Sequence, residues 1–251
     1  MATSTTNSSE TARPKNYFAT THWSVVLAAA KGDSSGGIGA LEKLCRCYWY
    51  PLYAYVRRRG YRPEDSEDLT QEFFARLLQH NWVAEARRSK GRFRSFLLMV
   101  LNRFLANEWD KIRAAKRGGG VPTIPIQMDT AETRYSLEPA TTTTPEQIFE
   151  RQWALALLDQ VLLALRAEYE KGGKAALFDA LKPSLAGRSE TQPYAELAAS
   201  LGMTEAAVKV AVHRLRERYR RRLQAEVAHT LASPSEVDSE LRHLFRVLAR
   251  G

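Results

Sequence analysis

Residues 194–209 read YAELAASLGMTEAAVK. Apolar residues recur at helical spacing up to Leu201, and Gly202 then permits the positive φ that a tight turn requires. Thr204 is a favoured N-cap residue, so a second helix is predicted to begin directly after it. The stretch therefore predicts a helix, a short turn and a second helix, which is the helix-turn-helix pattern.

The second of these helices has an apolar side and a basic side. Its predicted buried stripe consists of Val208, Val212, Leu215 and Tyr219. Between residues 209 and 222 the chain has seven Lys or Arg residues and one acid, Glu217. Such a face fits the major groove of DNA, where basic side chains read guanine edges and hold phosphates. The candidate DNA-binding residues are Lys209, His213, Arg214, Arg216 and Arg220. The alternative is an antiparallel helix pair whose basic face is merely solvated.

The composition of the whole chain agrees with a nucleic-acid partner. The 251 residues carry a formal net charge of +9, which suits a polyanion but also serves solubility. The balance of apolar and charged residues excludes a collagen, a wholly disordered chain and a disulfide scaffold. No apolar run approaches the length of a membrane span, and residues 1–15 lack the apolar core of a signal peptide. We therefore expect a cytoplasmic protein without membrane contact.

No metal, cofactor or catalytic site is predicted. Cys45 and Cys47 form a CxC pair that lacks the ligand spacing of a structural zinc site, and the five histidines are scattered. No nucleophile–base pair stands out either. An enzyme acting on nucleic acid is therefore a hypothesis without residues to support it.

The organisation of the chain is predicted to be all-α, with two helical domains joined by a flexible linker. No alternating strand pattern of useful length occurs, whereas apolar residues at helical spacing recur throughout. Three glycines at 118–120, several prolines and a run of threonines mark the linker. The predicted segments are a disordered N-terminus at 1–20, a helical domain at 21–117, the linker at 118–144, a helix-turn-helix domain at 145–231 and a C-terminal helical extension at 232–251.

The helix predicted after Pro63 has an acidic face. Glu64, Asp68 and Glu72 follow at intervals of four residues, opposite a stripe that contains large aromatics. Acids near a helix N-terminus are favoured by the helix dipole, but that explanation covers only the first turn. Gln71 and Glu72 lie beyond it, which favours a docking face for a basic partner helix.

Residues 87–117 combine positive charge with aromatic rings. This segment has ten basic residues against two acids. Trp82, Phe93, Phe96, Phe104 and Trp109 lie beside or within it. Basic side chains hold a nucleic-acid backbone and rings stack on unpaired bases, so the combination is typical of single-strand binding. Most of these aromatics are nonetheless predicted to be core residues by their period.

Taken together, these stretches resemble a bacterial sigma-70 family factor of the extracytoplasmic-function (ECF) type. The resemblance rests on YWYPLYAY at 48–55, EDLTQEFF at 67–74, FRSFL at 93–97, the segment up to Lys116-Arg117, and the helix-turn-helix. It covers residues 21–117 and 145–231. The stretches FLANEWDK and KRGGG are most similar to a subgroup common in planctomycetes and their relatives.

The resemblance implies partners and roles. Asp68, Gln71 and Glu72 would dock on the β′ clamp helices of core RNA polymerase. The −10 region of promoter DNA would be bound and opened by Arg92, Arg94, Arg103, Asn107 and Lys111. The helix-turn-helix would read the −35 element and lie on the β flap, and the linker would thread through the polymerase toward the RNA exit. An anti-sigma factor would be a further partner, although no residue identifies one.

Two departures and one rival hypothesis stand beside this resemblance. Many relatives have Asn and Asp where this chain has Arg103 and Asn107, and Val-Lys-Ser-Arg where it has Val208-Lys209-Val210-Ala211. The rival is a helix-turn-helix regulator without polymerase contact. That hypothesis explains residues 145–231 but gives no role to the acidic helix or to the basic–aromatic segment.

Overall fold

A computed structural model describes residues 35–80, 82–86, 91–114, 128–136, 143–186, 194–231 and 233–249. The described residues form helices and turns without a strand, which confirms the all-α prediction for this part of the chain. The helices are α1 (Ser35–Arg58), α2 (Pro63–Gln79), α3 (Phe93–Ala114), α4 (Met128–Ser136), α5 (Pro145–Lys171), α6 (Ala175–Leu181), α7 (Tyr194–Leu201), α8 (Glu205–Thr230) and α9 (Val237–Ala249). Three short 3₁₀ helices cover Trp82–Glu85, Lys182–Ala186 and Pro234–Glu236. The prediction of disorder at 1–20 lies outside the described residues, as do residues 21–34 of the predicted helical domain.

Helices α1, α2 and α3 pack around aromatic residues. Pro51 lies inside α1 and is buried, so the helix continues through this proline. Gly60 ends the turn after α1 at φ +94°, a conformation that favours glycine. Tyr55, fully buried on α1, has its hydroxyl 2.8 Å from Asn102 Oδ1 of α3 and 3.1 Å from Glu146 Oε1 of α5. This one hydroxyl therefore ties three helices together.

Helix α5 joins the N-terminal helices to the C-terminal ones. Thr144 and Gln147 form a capping box at its start, with Pro145 at the first helical position. Phe149 is fully buried and stacks on Tyr48 of α1 with the ring centroids 6.3 Å apart. Further along, α5 packs against α6, α8 and α9. One continuous apolar core thus runs from α1 to α9, and the division into two domains stays a prediction.

Helix α4 lies within the segment predicted to be a flexible linker. Its Glu132 accepts a hydrogen bond from the Tyr53 hydroxyl (2.5 Å) and pairs with Arg57 of α1 (2.8 Å). Arg134 lies over the Tyr50 ring at 3.9 Å and donates to Gln152 of α5. These polar contacts, together with the packing of Ala131 and Tyr135 in an apolar cluster around Tyr53, hold residues 128–136 on α1 and α5. The rest of the predicted linker, except for residues 143 and 144, lies outside the described residues.

The C-terminal helices reproduce the predicted turn. Gly202 takes φ +62°, and the Met203 amide donates to the Ala198 carbonyl at 2.9 Å. Thr204 then caps α8 by accepting a hydrogen bond from the Ala207 amide. The predicted stripe of α8 is turned inward, with Val208, Val212 and Leu215 buried and Tyr219 half-buried. Helix α9 returns across α5 and α8.

Candidate nucleic-acid and partner interface

The acidic face of α2 is partly free and partly paired. Asp68 is exposed, as is Glu64 one turn before it. Gln71 is half-buried and donates to Glu67 at 3.0 Å. Burial raises the pKa of Glu67, and the neighbouring charge of Asp68 adds to that effect. Asp68 is therefore the member of the predicted docking set best placed to meet another molecule.

Glu72, the third predicted docking residue, belongs to a bridge between α2 and α3. It accepts a hydrogen bond from Arg76 one turn later at 2.7 Å. The same guanidinium reaches Glu108 of α3 at 2.6 Å and lies over the Phe104 ring at 5.1 Å. Arg76 was not among the predicted site residues, although its position four residues after Glu72 is the signal that identifies the pair. The bridge fixes α3 against α2.

A cleft of about 420 Å³ opens beside this bridge, between the end of α2, the following 3₁₀ helix and α3. Two of the predicted −10 residues, Arg103 and Asn107, line it and are exposed. Trp82 stacks with His80 at 5.5 Å on another side. The complete lining is Arg76, His80, Trp82, Glu85, Val100, Arg103, Phe104 and Asn107. Aromatic surface, cations and polar groups that donate or accept hydrogen bonds therefore meet in one concave site, which suits a planar, partly polar ligand.

The other three predicted −10 residues lie elsewhere on or before α3. Arg92 and Arg94 precede or begin the helix and face α5 and α9, where both pair with acids. Arg94 is only 2% exposed. Lys111 lies near the end of α3, and its side chain is outside the described part of the chain. The structure thus brings Arg103 and Asn107 together in the cleft and separates Arg92 and Arg94 from them.

The outward face of α8 carries fewer free cations than the sequence suggested. Arg218 lies over the Tyr169 ring at 5.6 Å, and Arg222 pairs with Glu168 of α5. Arg216 donates two hydrogen bonds to the Ser184 carbonyl, at 3.1 and 2.8 Å. All three arginines therefore fasten α8 to the neighbouring helical segments.

The predicted residues His213, Arg214 and Arg220 are exposed on α8. Lys209 is also exposed, pairs with Glu205 at 2.9 Å and lies near the Tyr194 ring of α7. Val210 is 49% exposed beside it and was not among the predicted site residues. A helical wheel places Val210 opposite the buried Val208 and Val212. An apolar residue on the solvent side of the helix is the signal that could have identified Val210 as a candidate contact residue.

Two acids that hold the predicted −10 arginines were also missed. Glu150 of α5 accepts from Arg94 at 3.0 and 2.9 Å, and Glu240 of α9 lies 2.5 Å from it. Neither acid shows a local pattern that distinguishes it from other helix-surface acids. Their partners become visible only when α3, α5 and α9 are packed together.

The described helices hold no cluster of three or more His, Cys, Asp or Glu side chains placed to bind a metal ion. None of the described helices is long and apolar enough to cross a membrane.

Comparison with known families gives one match. Residues 44–115 match the family model of sigma-70 region 2. These residues include most of α1, all of α2 and all of α3, and therefore both the acidic face and the cleft. No curated protein and no solved structure matches the chain significantly. The region 2 match supports a sigma-70 family factor, with a role in RNA polymerase binding and promoter melting.

Proposed function

We propose that the protein is an ECF-type sigma factor that binds core RNA polymerase and directs promoter recognition, DNA opening and transcription initiation. The observation that carries the proposal is that one matched segment, residues 44–115, holds both the acidic face of α2 and the aromatic–basic cleft beside α3. A polymerase contact and a single-strand contact are the two properties that an initiation factor must combine. In this role the protein is a regulator of transcription and not an enzyme.

The polymerase contact is assigned to α2. Asp68, Gln71 and Glu72 would meet the β′ clamp helices, with Asp68 as the freest charge. Opposite charges across an interface guide association and disfavour wrong partners. Since Glu72 already pairs with Arg76, its main contribution would be to keep α2 and α3 in register.

The opening of the −10 element is assigned to the cleft and to α3. A base that leaves the DNA stack needs an aromatic surface and polar groups for its edge. Trp82 supplies the surface, while Arg103 and Asn107 supply donors and an acceptor at the rim. Lys111 would continue the path along α3 toward the DNA backbone. Promoter melting would follow from capture of the unpaired base.

The −35 element is assigned to the first half of α8. The N-terminal part of a recognition helix is the part that reaches base edges. Here it carries Lys209, His213 and Arg214, with Val210 available for the methyl group of thymine. Glu217 is exposed farther along the same face, where it pairs with Arg221 at 3.6 Å. Arg220 would hold a phosphate at the edge.

The test is binding to purified core polymerase. Asp68→Arg should abolish co-elution with the core enzyme and run-off transcription. The substitution replaces an exposed carboxylate by a cation, which a basic partner surface would repel. The matched control is Glu170→Arg, a charge reversal at an exposed position of α5. Circular dichroism should show both variants folded.

Two outcomes count against the proposal. If Asp68→Arg binds core polymerase as well as wild type does, the acidic face of α2 is not part of the polymerase interface. If the wild-type chain binds double-stranded DNA but never core polymerase, the rival hypothesis of a helix-turn-helix regulator replaces the sigma factor.

A further inference from the structure

The C-terminal helix α9 places an acid on two of the arginines assigned to DNA. Glu240, which is fully buried, lies with Oε2 2.5 Å from Arg92 Nη2 and with Oε1 2.5 Å from Arg94 Nη2. Both arginines stand at the N-terminal end of α3. A carboxylate held by two guanidinium groups at this position has the charge and the spacing of a bound anion.

The charges in this cluster balance only while α9 is in place. Arg94 is also bound by both oxygens of Glu150 and lies over the Trp153 ring of α5 at 4.1 Å. Two guanidinium groups therefore meet two acids, one from α5 and one from α9, and His243 of α9 lies 3.4 Å from Glu150. If Glu240 leaves, Arg92 loses its carboxylate partner and the cluster keeps one excess positive charge. The two arginines can then bind a phosphate.

The hold of α9 is limited in extent. Leu244 is its one fully buried apolar side chain, while Leu241 and Leu248 are only partly buried and Phe245 is 55% exposed. Within the cluster, neither oxygen of Glu240 accepts a well-aligned hydrogen bond. A buried carboxylate without aligned donors is unfavourable unless its ion partners compensate. The docking of α9 thus depends on the same arginines that a nucleic acid would use.

We propose that α9 is an intramolecular lid, in which Glu240 occupies the site that Arg92 and Arg94 offer to a phosphate of promoter DNA. DNA and α9 then exclude each other at this site, so the free chain is held in a state that binds DNA weakly. By linkage, DNA bound at the arginines displaces α9 to the same degree that α9 weakens DNA binding. This inference rests on the proposed function for the identity of the nucleic acid as promoter DNA.

The test compares Glu240→Gln with Glu236→Gln in the full chain. Both variants remove one negative charge, but Glu236 is exposed on the turn before α9 and has no part in the cluster. The probe is a fluorescein-labelled, 20-nucleotide single-stranded DNA of mixed sequence, titrated at several salt concentrations. We expect Glu240→Gln to bind at least about fivefold more tightly than wild type, and Glu236→Gln to bind like wild type. The salt dependence of Glu240→Gln should also steepen by about one phosphate contact.

Two further variants make the test specific. Glu240→Gln combined with Arg92→Met should lose the gain, because the phosphate site is incomplete. Leu248→Ala weakens the docking of α9 without changing any charge, so it should tighten DNA binding as well. If Glu240→Gln does not fold, the DNA affinity of Leu248→Ala tests the lid by itself. Hydrogen exchange should become faster over residues 237–249 in both lid variants and stay unchanged over 205–230.

Faster exchange over α9 without tighter DNA binding would overturn the lid, since opening would then expose no DNA site. A gain equal in Glu236→Gln and Glu240→Gln would overturn it as well. Binding of wild type to core polymerase separates the two hypotheses. If Glu240→Gln binds DNA more tightly but the wild-type chain does not bind core polymerase, the lid is supported and the sigma-factor proposal is wrong. If the wild-type chain binds core polymerase but Glu240→Gln binds DNA no more tightly, only the lid proposal is wrong.

Discussion

Arg216 illustrates how one side chain on a basic helix face can have a structural task. Its guanidinium donates twice to the Ser184 carbonyl, so it closes the 3₁₀ helix after α6 onto α8. Arg214, two residues earlier, is exposed on the same helix. From sequence alone both residues were DNA-binding candidates, because a count of charges cannot distinguish a guanidinium that meets a backbone carbonyl from one that meets solvent.

These two arginines should therefore respond differently to alanine. Arg216→Ala should reduce the free energy of unfolding by about 1 kcal/mol through the lost hydrogen bonds, and leave the ranking of −35 sequence variants unchanged. Arg214→Ala should leave stability within about 0.5 kcal/mol and weaken DNA binding, with a salt slope smaller by about one unit if it contacts a phosphate. Urea unfolding and titration of a −35 DNA panel measure the two effects. A changed −35 ranking in Arg216→Ala would mean that the guanidinium leaves Ser184 when DNA binds.

Helix α4 shows the same dependence on tertiary contacts at the scale of an element. It has nine residues, too few for a stable isolated helix, and Ala131 is the buried apolar residue among the side chains described in it. Glu132 joins it to α1 through Tyr53 and Arg57. Burial raises the pKa of Tyr53, with the neighbouring carboxylate adding to the effect, so the hydroxyl stays a donor. The docking of α4 therefore depends on the ionised form of Glu132.

This dependence predicts a loss of α4 docking in acid. The hydrogen bond from Arg57 lowers the pKa of Glu132 below its ordinary value of 4.5. A carboxyl whose pKa is lowered on folding stabilises the fold fully above the ordinary value, and this contribution is lost as the pH falls through the lowered one. Hydrogen exchange over 128–136, corrected for intrinsic rates, should show more protection in wild type than in Glu132→Gln at neutral pH. The difference should begin to shrink below pH 4.5 and vanish only once the pH has fallen through the lowered pKa of Glu132.

Glu64→Gln, at an exposed position of α2, provides the control for this experiment and should behave like wild type at every pH. A difference between wild type and Glu132→Gln that persists in acid would show that the amide disturbs α4 by some route other than charge.

The elements that the sequence predicted well are those with local signals. Pro63, Pro145 and Thr204 mark the starts of α2, α5 and α8, because each acts on the backbone of its own first turn. The acidic face of α2 and the glycine turn before α8 follow from local spacing in the same way. The sequence had no comparable signal for α4, whose polar and aromatic contacts come from helices far away in the chain.

The candidate site divides along the same line. Arg103 and Asn107 were expected near DNA, and they do line one cleft with Trp82. The burial of Arg94 between Glu150 and Glu240 could not be predicted, since it arises from the packing of α3, α5 and α9 and from no pattern within any of them. Charge and periodicity identify which residues can bind a polyanion. They do not show which of these residues are already paired with acids of the same chain.

At the scale of the whole molecule, α5 determines whether the chain behaves as one body. Its first turns pack on α1 and its later turns on α6, α8 and α9, within one continuous core. A sigma factor that spans the −10 and −35 elements needs these two groups of helices at separate places on DNA. The packing of α1 against the start of α5 is therefore the contact whose strength decides how readily the molecule can extend.

Phe149 is the side chain that tests this contact. It is fully buried at the start of α5 and stacks on Tyr48, which in turn meets the Phe93 ring of α3 edge-on at 5.6 Å. Phe149→Ala should reduce the free energy of unfolding by about 3–5 kcal/mol, because a large cavity opens between α1 and α5. Leu163→Ala, on the solvent side of the same helix, should change it by less than about 0.5 kcal/mol.

The form of the unfolding transition carries the decisive information. Wild type should unfold in urea in one transition that coincides by circular dichroism and by tryptophan fluorescence, because helices from both ends of the chain share a core. In Phe149→Ala the two probes should separate and the apparent m-value should fall, as α1–α3 and α5–α9 lose their common surface and unfold independently. The prediction is wrong if Phe149→Ala keeps coincident transitions and loses no more stability than Leu163→Ala. The two groups of helices would then not stabilise each other through Phe149, and separating them would not require breaking a stabilising contact at this residue.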